Sequence, residues 1–320
     1  MRQEISVSTV FTKISTDQSV IGTHSGIFHA DDVIAVALFC IGNTSNNIHV
    51  VRSRNPEELS KCDILVDVGG GMYDHHQVGG NGSRENGTPY ASAGLYWKFN
   101  GRDIIKMLSA KHFQAIMSEE DINSVFYSLD KILFQEIDKI DNGIPARSTV
   151  FDYIPSYLPS WRNLDESQSI YEDCFKAVLE VSISILTKTI LSKIDKVSSF
   201  NYILNLHKQE PDCRILQIPA QSFPWLSPVV MMNKEFGGHI DFVMFEYPSG
   251  GWAAQCVPPS LEQHFEQRVP FPAKWAGQTD ALSAISGIED ATFCHNGRFF
   301  VRANSKEAII EMCNTAIKSV

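Results

Sequence analysis

Between Asp67 and His76 the chain reads Asp67-Val-Gly-Gly70-Gly71-Met-Tyr-Asp74-His75-His76, two carboxylates and two imidazoles within ten residues, directly after the apolar run Ile64-Leu65-Val66. Upstream, His24, His29, Asp31 and Asp32 follow the apolar run Ser19-Val20-Ile21 and precede a helix-like run from Val33 to Ile41. Both clusters combine hard and borderline ligands and contain no cysteine, which suits a pair of divalent ions better than one structural zinc. A buried strand of the type Ile-Leu-Val-Asp would strand an unpaired carboxylate at Asp67, a cost that a ligand role removes. Gly69, Gly70 and Gly71 would let backbone approach an ion or a phosphate closely. His75 and His76, if extended, point to opposite sides, so that one ligates metal while the other faces substrate or a second ion; Asp74 is placed to orient one of them. Asp138 and Asp141 form a third acidic pair, whose bland alternative is a solvated helix end. For the first cluster it is a solvated turn.

These residues need elements to converge them. Val20-Ile21, residues 31–41, Ile48 to Val51, Cys62 to Val68 and residues 90–99 alternate strand-like and helix-like patterns, as in a parallel sheet with crossover helices, where ligands bind beyond the carboxyl ends of the strands. Helices are expected over 104–117 and 121–140, the second ended by Asn142-Gly143 and kept from resuming by Pro145. Residues 151–163, rich in aromatics and proline, read as a surface connection or lid. Asp165-Glu166-Ser167 opens a long helix to about residue 195. Strands follow at 214–218, 239–247 and 252–257, then a hairpin through Asn296-Gly297 and a last helix from Ser305. The expectation is an α/β protein of three parts: a catalytic domain over 1–165, a connecting helix over 166–195 and a smaller α+β domain over 196–320.

The 320 residues are 43% hydrophobic and 20% charged, as in a globular protein. Seven scattered cysteines without a Cys-x-x-Cys pair suggest reduced thiols in an intracellular compartment, cytoplasm or nucleus. Arg2 and Lys13 among serines and threonines hint at a mitochondrial address that Glu4 interrupts. No run is long enough to span a membrane. A net charge of −10 argues against a broad basic surface for duplex nucleic acid but is compatible with nuclease chemistry at a metal pair, which brings its own positive charge.

In order along the chain, His24-x4-His29-x-Asp31, Asp67-Val-Gly-Gly, Asp74-His75-His76 and Asp141-Asn-Gly resemble the four motifs of the DHH phosphoesterase superfamily. Together with Tyr73, Gln77, Ser92-Ala-Gly94, Asp138, Trp252-x-x-Gln255-x-Val257-Pro258, Arg268, Trp275-x-Gly277, Ser286-Gly-Ile288 and Phe293-x-His295, the pattern is similar to the melanocyte-proliferating-gene exonuclease family, also labelled metal-dependent protein hydrolases. The resemblance implies a DHH-type parallel sheet facing the smaller domain across a cleft, two divalent cations (Mn2+ or Mg2+), and 3′-to-5′ exonuclease activity on RNA or a short oligonucleotide. It implies His24, His29, Asp31, Asp67, His75 and Asp141 as ligands, with Asp138 the alternative in the fourth motif, and His76 on the scissile phosphate. A basic stretch expected before Tyr73 is absent, and the loop after Gln77 is rich in glycine and asparagine.

In the second domain Arg268 could clamp phosphate through its planar fork, with a surface ion pair as the alternative. His295 could reach substrate beside its hairpin. Trp252 and Trp275 could stack bases or fill the core. Two rival functions remain: hydrolysis of small phosphoesters or pyrophosphate, and a metal-binding regulatory protein without turnover.

Overall fold

A computed structural model describes residues 3–12, 17–162 and 168–320. Arg2, Lys13 and the helix start at Asp165-Glu166-Ser167 lie outside the described residues. The chain divides into two compact units, Met1–Ile194 and Asp195–Val320.

The first unit is built on strands β1 (Glu4–Ser8), β2 (Ser19–Thr23), β3 (Asn47–Arg52) and β4 (Ile64–Leu65), all parallel and ordered β1-β3-β2-β4. Helix α1 (Ala30–Gly42) joins β2 to β3, and the short α2 (Pro56–Leu59) lies before β4. The path from β2 to β3 steps one way across the sheet, and the path from β3 to β4 steps back past β2. This reversal opens a crevice beyond the carboxyl ends of β2 and β4, which run into His24 and Asp67.

Residues Val33 to Cys40 of α1 are all buried, as expected of a helix apolar on every side. Helix α3 (Ser92–Phe113) packs beside it as one continuous element. It runs unbroken through residues 99–104, and Gly101 leaves room for Trp97: a Cβ there would lie 2.6 Å from the indole. The helix expected over 121–140 resolves into α4 (Glu119–Leu129), a π-helical turn (Asp130–Phe134) and α5 (Gln135–Asp141), stopped at Asn142 with Gly143 at φ 68°. Residues 151–162 are mostly at the surface, as expected, but anchored at one end. Phe151 and Ile154 are fully buried, and the Tyr153 hydroxyl lies 3.0 Å from that of Ser182. Helix α6 (Gln168–Gln209) runs well past residue 195, where the connecting helix was expected to stop.

The second unit holds β5 (Ile215–Gln217), α7 (Leu226–Glu235), β6 (Phe242–Glu246), β7 (Trp252–Cys256), α8 (Leu282–Ser286), β8 (Ala291–Cys294), β9 (Phe300–Ala303) and α9 (Lys306–Lys318). Its mixed sheet runs β5-β6-β7-β9-β8, with only β5 and β6 parallel. Among the described residues, no helix is long and apolar enough to cross a membrane.

One buried contact fixes where α5 sits. Asp138, fully buried, accepts 2.7 Å from the Arg84 guanidinium and 2.9 Å from the backbone N–H of Gly94 on α3. A side chain at residue 94 would overlap the Asp138 carboxylate. Gly94→Ala is therefore expected to lower the unfolding free energy by about 3 kcal/mol, from overpacking and a disturbed buried ion pair. Guanidinium unfolding reads this, and an unchanged midpoint would mean that α3 and α5 do not meet through this contact.

Candidate metal centre

The site is assembled by chain reversals rather than by strand faces. β2 ends at Thr23, so His24 is the first residue beyond the sheet. His29 precedes α1, and Asp31 and Asp32 lie in its first turn. Asp32 accepts from the backbone N–H of His29 at 2.8 Å, a stop that ties the loop to the helix start. Beyond β4, Asp67 has φ 57°, a left-handed conformation that aspartate tolerates better than most side chains. It turns the carboxylate out of the strand direction. The Ser92 hydroxyl donates to it at 2.9 Å.

The following loop folds back, and Asp74 is its hub. Asp74 accepts from the N–H of Gly70 at 2.7 Å and of His76 at 3.0 Å, and pairs with His76 Nδ1 at 2.9 Å. Residues 74–76 belong to no strand, and the expected divergence of His75 and His76 does not occur. Their ring centroids are 4.5 Å apart, and both rings reach Asp67, His75 Nε2 at 3.3 Å and His76 Nδ1 at 3.4 Å.

Two groups of ligand atoms result. Asp67, His75 and His76 bring one atom each within 4.8 Å of one another, and so do His29, Asp31 and Asp141. They adjoin, because His75 Nε2 lies 3.0 Å from Asp141 Oδ2 and 3.8 Å from Asp31 Oδ2. His24 Nε2 lies beside the first group, 3.2 Å from Asp67 and 3.4 Å from Asp32. Asp138 is in neither group. Its charge is met by Arg84 and Gly94, so α5 offers Asp141 to the site and uses Asp138 to hold the helix in place.

The electrostatics favour a bound cation. Both carboxylate oxygens of Asp31 are buried without a hydrogen-bond partner. Burial first, and then the charges of Asp67, Asp141 and Asp32, push its acidity far to the protonated side. Burial likewise holds Asp32 at about 6, against the opposing pull of His24. Burial works against charge on His75, yet the hydrogen bonds to Asp141 and Asp67 outweigh it and hold the imidazole up at about 10. Asp67 goes the other way: its hydrogen bonds with His24 and His75 overcome burial and keep it ionised. A donor set of imidazole nitrogen and carboxylate oxygen suits divalent cations.

A cavity of about 590 Å³ opens onto this cluster, lined by His24, His29, Asp67, Asp74 and His76, with Ile27, Val68, Gly69 and one cation, Arg54. Sequence reading passed over Arg54. Its only signal was its place, two residues beyond the end of β3 and on the same edge as His24. Arg52 was missed too: fully buried, it donates to the Gly26 carbonyl at 2.7 Å, stacks 4.4 Å from the Phe175 ring, and supplies positive charge felt by Asp32.

Residues 20–317 match the family model MYG1_exonuc, described as an uncharacterised protein family (UPF0160). The chain belongs to that family. It is 29% identical to a MYG1 protein of Schizosaccharomyces pombe, with 93% of this chain and 97% of the relative covered. It is 28% identical to the MYG1 exonuclease of Mus musculus, covering 93% and 84% respectively. A Chlamydia trachomatis MYG1 protein is 29% identical, over 93% and 96%. The family match spans both compact units, including the residues singled out in the second. There Arg268 Nε lies 3.4 Å from Asp241, which also pairs with Arg214, so the ion pair is realised. Exposed His295 accepts at Nδ1 from the Gly297 N–H at 3.0 Å. Trp275 is core and fully buried, whereas Trp252 is half-buried with Lys306 5.4 Å from its ring.

The raised pKa of His75 sets the sign of a pH dependence. In the metal-free protein this group stabilises the fold fully below its unfolded value of about 6.5, and that stabilisation fades as pH rises through about 10. A ligand imidazole must be unprotonated. Mn2+ uptake at about pH 7.5 is therefore expected to release protons, and affinity should rise with pH. Calorimetry in buffers of different ionisation enthalpy measures this; uptake without proton release would contradict the assigned ligand.

Proposed function

We propose that this protein is a divalent-metal-dependent phosphodiesterase of the DHH type that removes nucleotides from the 3′ end of RNA or a short oligonucleotide. The observation that carries the reading is the adjacency of the two ligand groups, bridged by His75 close to both Asp67 and Asp141. In-line displacement at phosphorus uses such a neighbouring pair of divalent sites. Relatives named MYG1 exonuclease supply the substrate class. The seven free thiols suit a reducing intracellular setting.

In this reading Asp67 and His75 would hold one cation with His24 beside them, and His29, Asp31 and Asp141 would hold the other. When bound, the cations acidify an attacking water and neutralise phosphate charge. Asp74 fixes the proton on Nδ1 of His76 and so leaves its other ring edge, on a side chain 62% exposed, open to the scissile phosphate. The Gly70-Gly71 turn lets backbone approach the phosphate. Arg54, on the cavity wall, neutralises the neighbouring phosphate. Arg268, through its planar guanidinium, and His295 of the second unit are assigned to substrate binding in this reading.

Release of mononucleotides from short RNA with Mn2+ or Mg2+, and none with chelator, is the expected result. Phosphate release from pyrophosphate with RNA untouched would favour a small-phosphoester hydrolase, and no turnover on either would favour a regulatory metal-binding role. Asp67→Asn and His76→Ala are each expected to lower kcat by about 100-fold or more while the fold persists, as when a transition-state contact is lost. A near-normal rate in either variant removes that residue from the chemistry. Arg54→Ala should mainly raise KM. Arg268→Ala should raise KM for long oligonucleotides and spare a dinucleotide; equal losses in kcat at every length would remove the second unit from substrate holding.

A further inference from the structure

A second cavity, of about 680 Å³, lies in the first unit between the loop 84–90, α3, α4, the π-helical turn and α5, and shares no lining residue with the metal centre. Its walls carry six basic side chains against three acidic ones, in a protein of net charge −10. Half of those bases are already matched: Arg84 pairs with Asp130 and Asp138, and Lys139 and Arg147 share Glu136. Lys98, Arg102 and Lys131 are not matched. Among the described residues none of them has a carboxylate within ion-pair reach; Arg102 donates only to the Asn123 side-chain oxygen, at 2.8 Å.

The same hollow is lined by aromatic rings. Arg102 lies 3.8 Å over Phe126 and 5.4 Å from Tyr127, and Lys98 lies 4.7 Å over Tyr90. Phe126 is buried, with Trp97 stacked on it at 5.4 Å. Tyr127 is 62% exposed, so its ring is available to a ligand. Lys98 and Arg102 stand one turn apart on α3, and Tyr127 and Lys131 are likewise four residues apart where α4 enters the π-helical turn. Such turns recur at functional sites because they re-aim side chains. The volume is that of a small-molecule site.

We propose that this cavity binds a mononucleotide, its base stacked on Tyr127 beside the Arg102 guanidinium and its phosphate held by Lys98 and Lys131. An aromatic face with unmatched cations beside it is complementary to a ligand that carries both a π-system and a phosphate. A bare phosphate would leave Tyr127 unused, and a nucleoside would leave the cations unmatched. The site is separate from the metal centre, so the proposal holds whether or not the chain is a nuclease.

The test is calorimetric titration of the full-length protein with adenosine 5′-monophosphate in excess chelator, which disables metal-dependent binding. Saturable binding is expected, weakened at least about tenfold by Tyr127→Ala and by the pair Lys98→Glu and Lys131→Glu, all exposed positions. Adenosine and inorganic phosphate should each bind at least about tenfold more weakly than the nucleotide. Asp67→Asn should bind it as the parent protein does. The proposal is overturned by absence of saturation at millimolar nucleotide, by indifference to the cavity substitutions, by loss in Asp67→Asn, or by phosphate binding as tightly as the nucleotide.

Discussion

Asp31 is the residue on which the first unit's architecture turns. A carboxylate buried without a hydrogen-bond donor, with Asp32, Asp67 and Asp141 close by, is too costly to persist ionised unless positive charge is brought to it. In the metal-free state protons and the imidazolium of His75 meet that need in part. The reversal of strand order around β2 brings the loop after β2, the start of α1 and the loop after β4 to one place. α5 adds Asp141 from the other side. The site is thus a meeting of four chain segments whose mutual repulsion the folded core must overcome.

The restraint comes from polar contacts one layer behind the ligands. Asp138 locks α5 to α3 through Gly94 and to the loop 84–90 through Arg84, Ser92 anchors Asp67, Asp74 anchors His76, and the His29 backbone is tied to Asp32. Each is a charged acceptor with a defined donor, the class of hydrogen bond that holds geometry best in a buried setting. Gly94 belongs to this layer although it has no side chain, since any Cβ would displace Asp138.

How much of this was legible in sequence follows from how local each feature is. The clusters at His24 to Asp32 and Asp67 to His76 declare themselves because ligand types crowd within a few residues, and the parallel sheet shows in its apolar runs. Non-local features do not. β1 gains its identity only by pairing with β3, some forty residues on, and the role of Asp138 depends on Arg84, more than fifty residues before it. The strand read over Cys62 to Val68 shrinks to Ile64–Leu65 because Asp67 leaves the extended region. α7 was overlooked because Pro228 stands in its third position, where the first turn tolerates it since the missing N–H would be unbonded anyway. The pairing of His75 with His76 was misjudged by assuming a strand where the chain is irregular.

The same charge balance constrains the order of events at the site. Asp67 and Asp74 line a cavity whose lining offers Arg54 as its one guanidinium, and Asp141 lies close by, 3.0 Å from His75. A phosphodiester approaching this array without compensating cations would meet like charge at close range, roughly 4 kcal/mol for each pair at 4 Å in a surface-like dielectric. Arg54 alone would offset about one such encounter. On the proposed function, the carboxylates that would hold the cations would also oppose a phosphodiester until cations are in place. Substrate binding and metal occupancy would then be a single linked equilibrium, which is how, on the proposed function, an overall acidic protein would handle a polyanion.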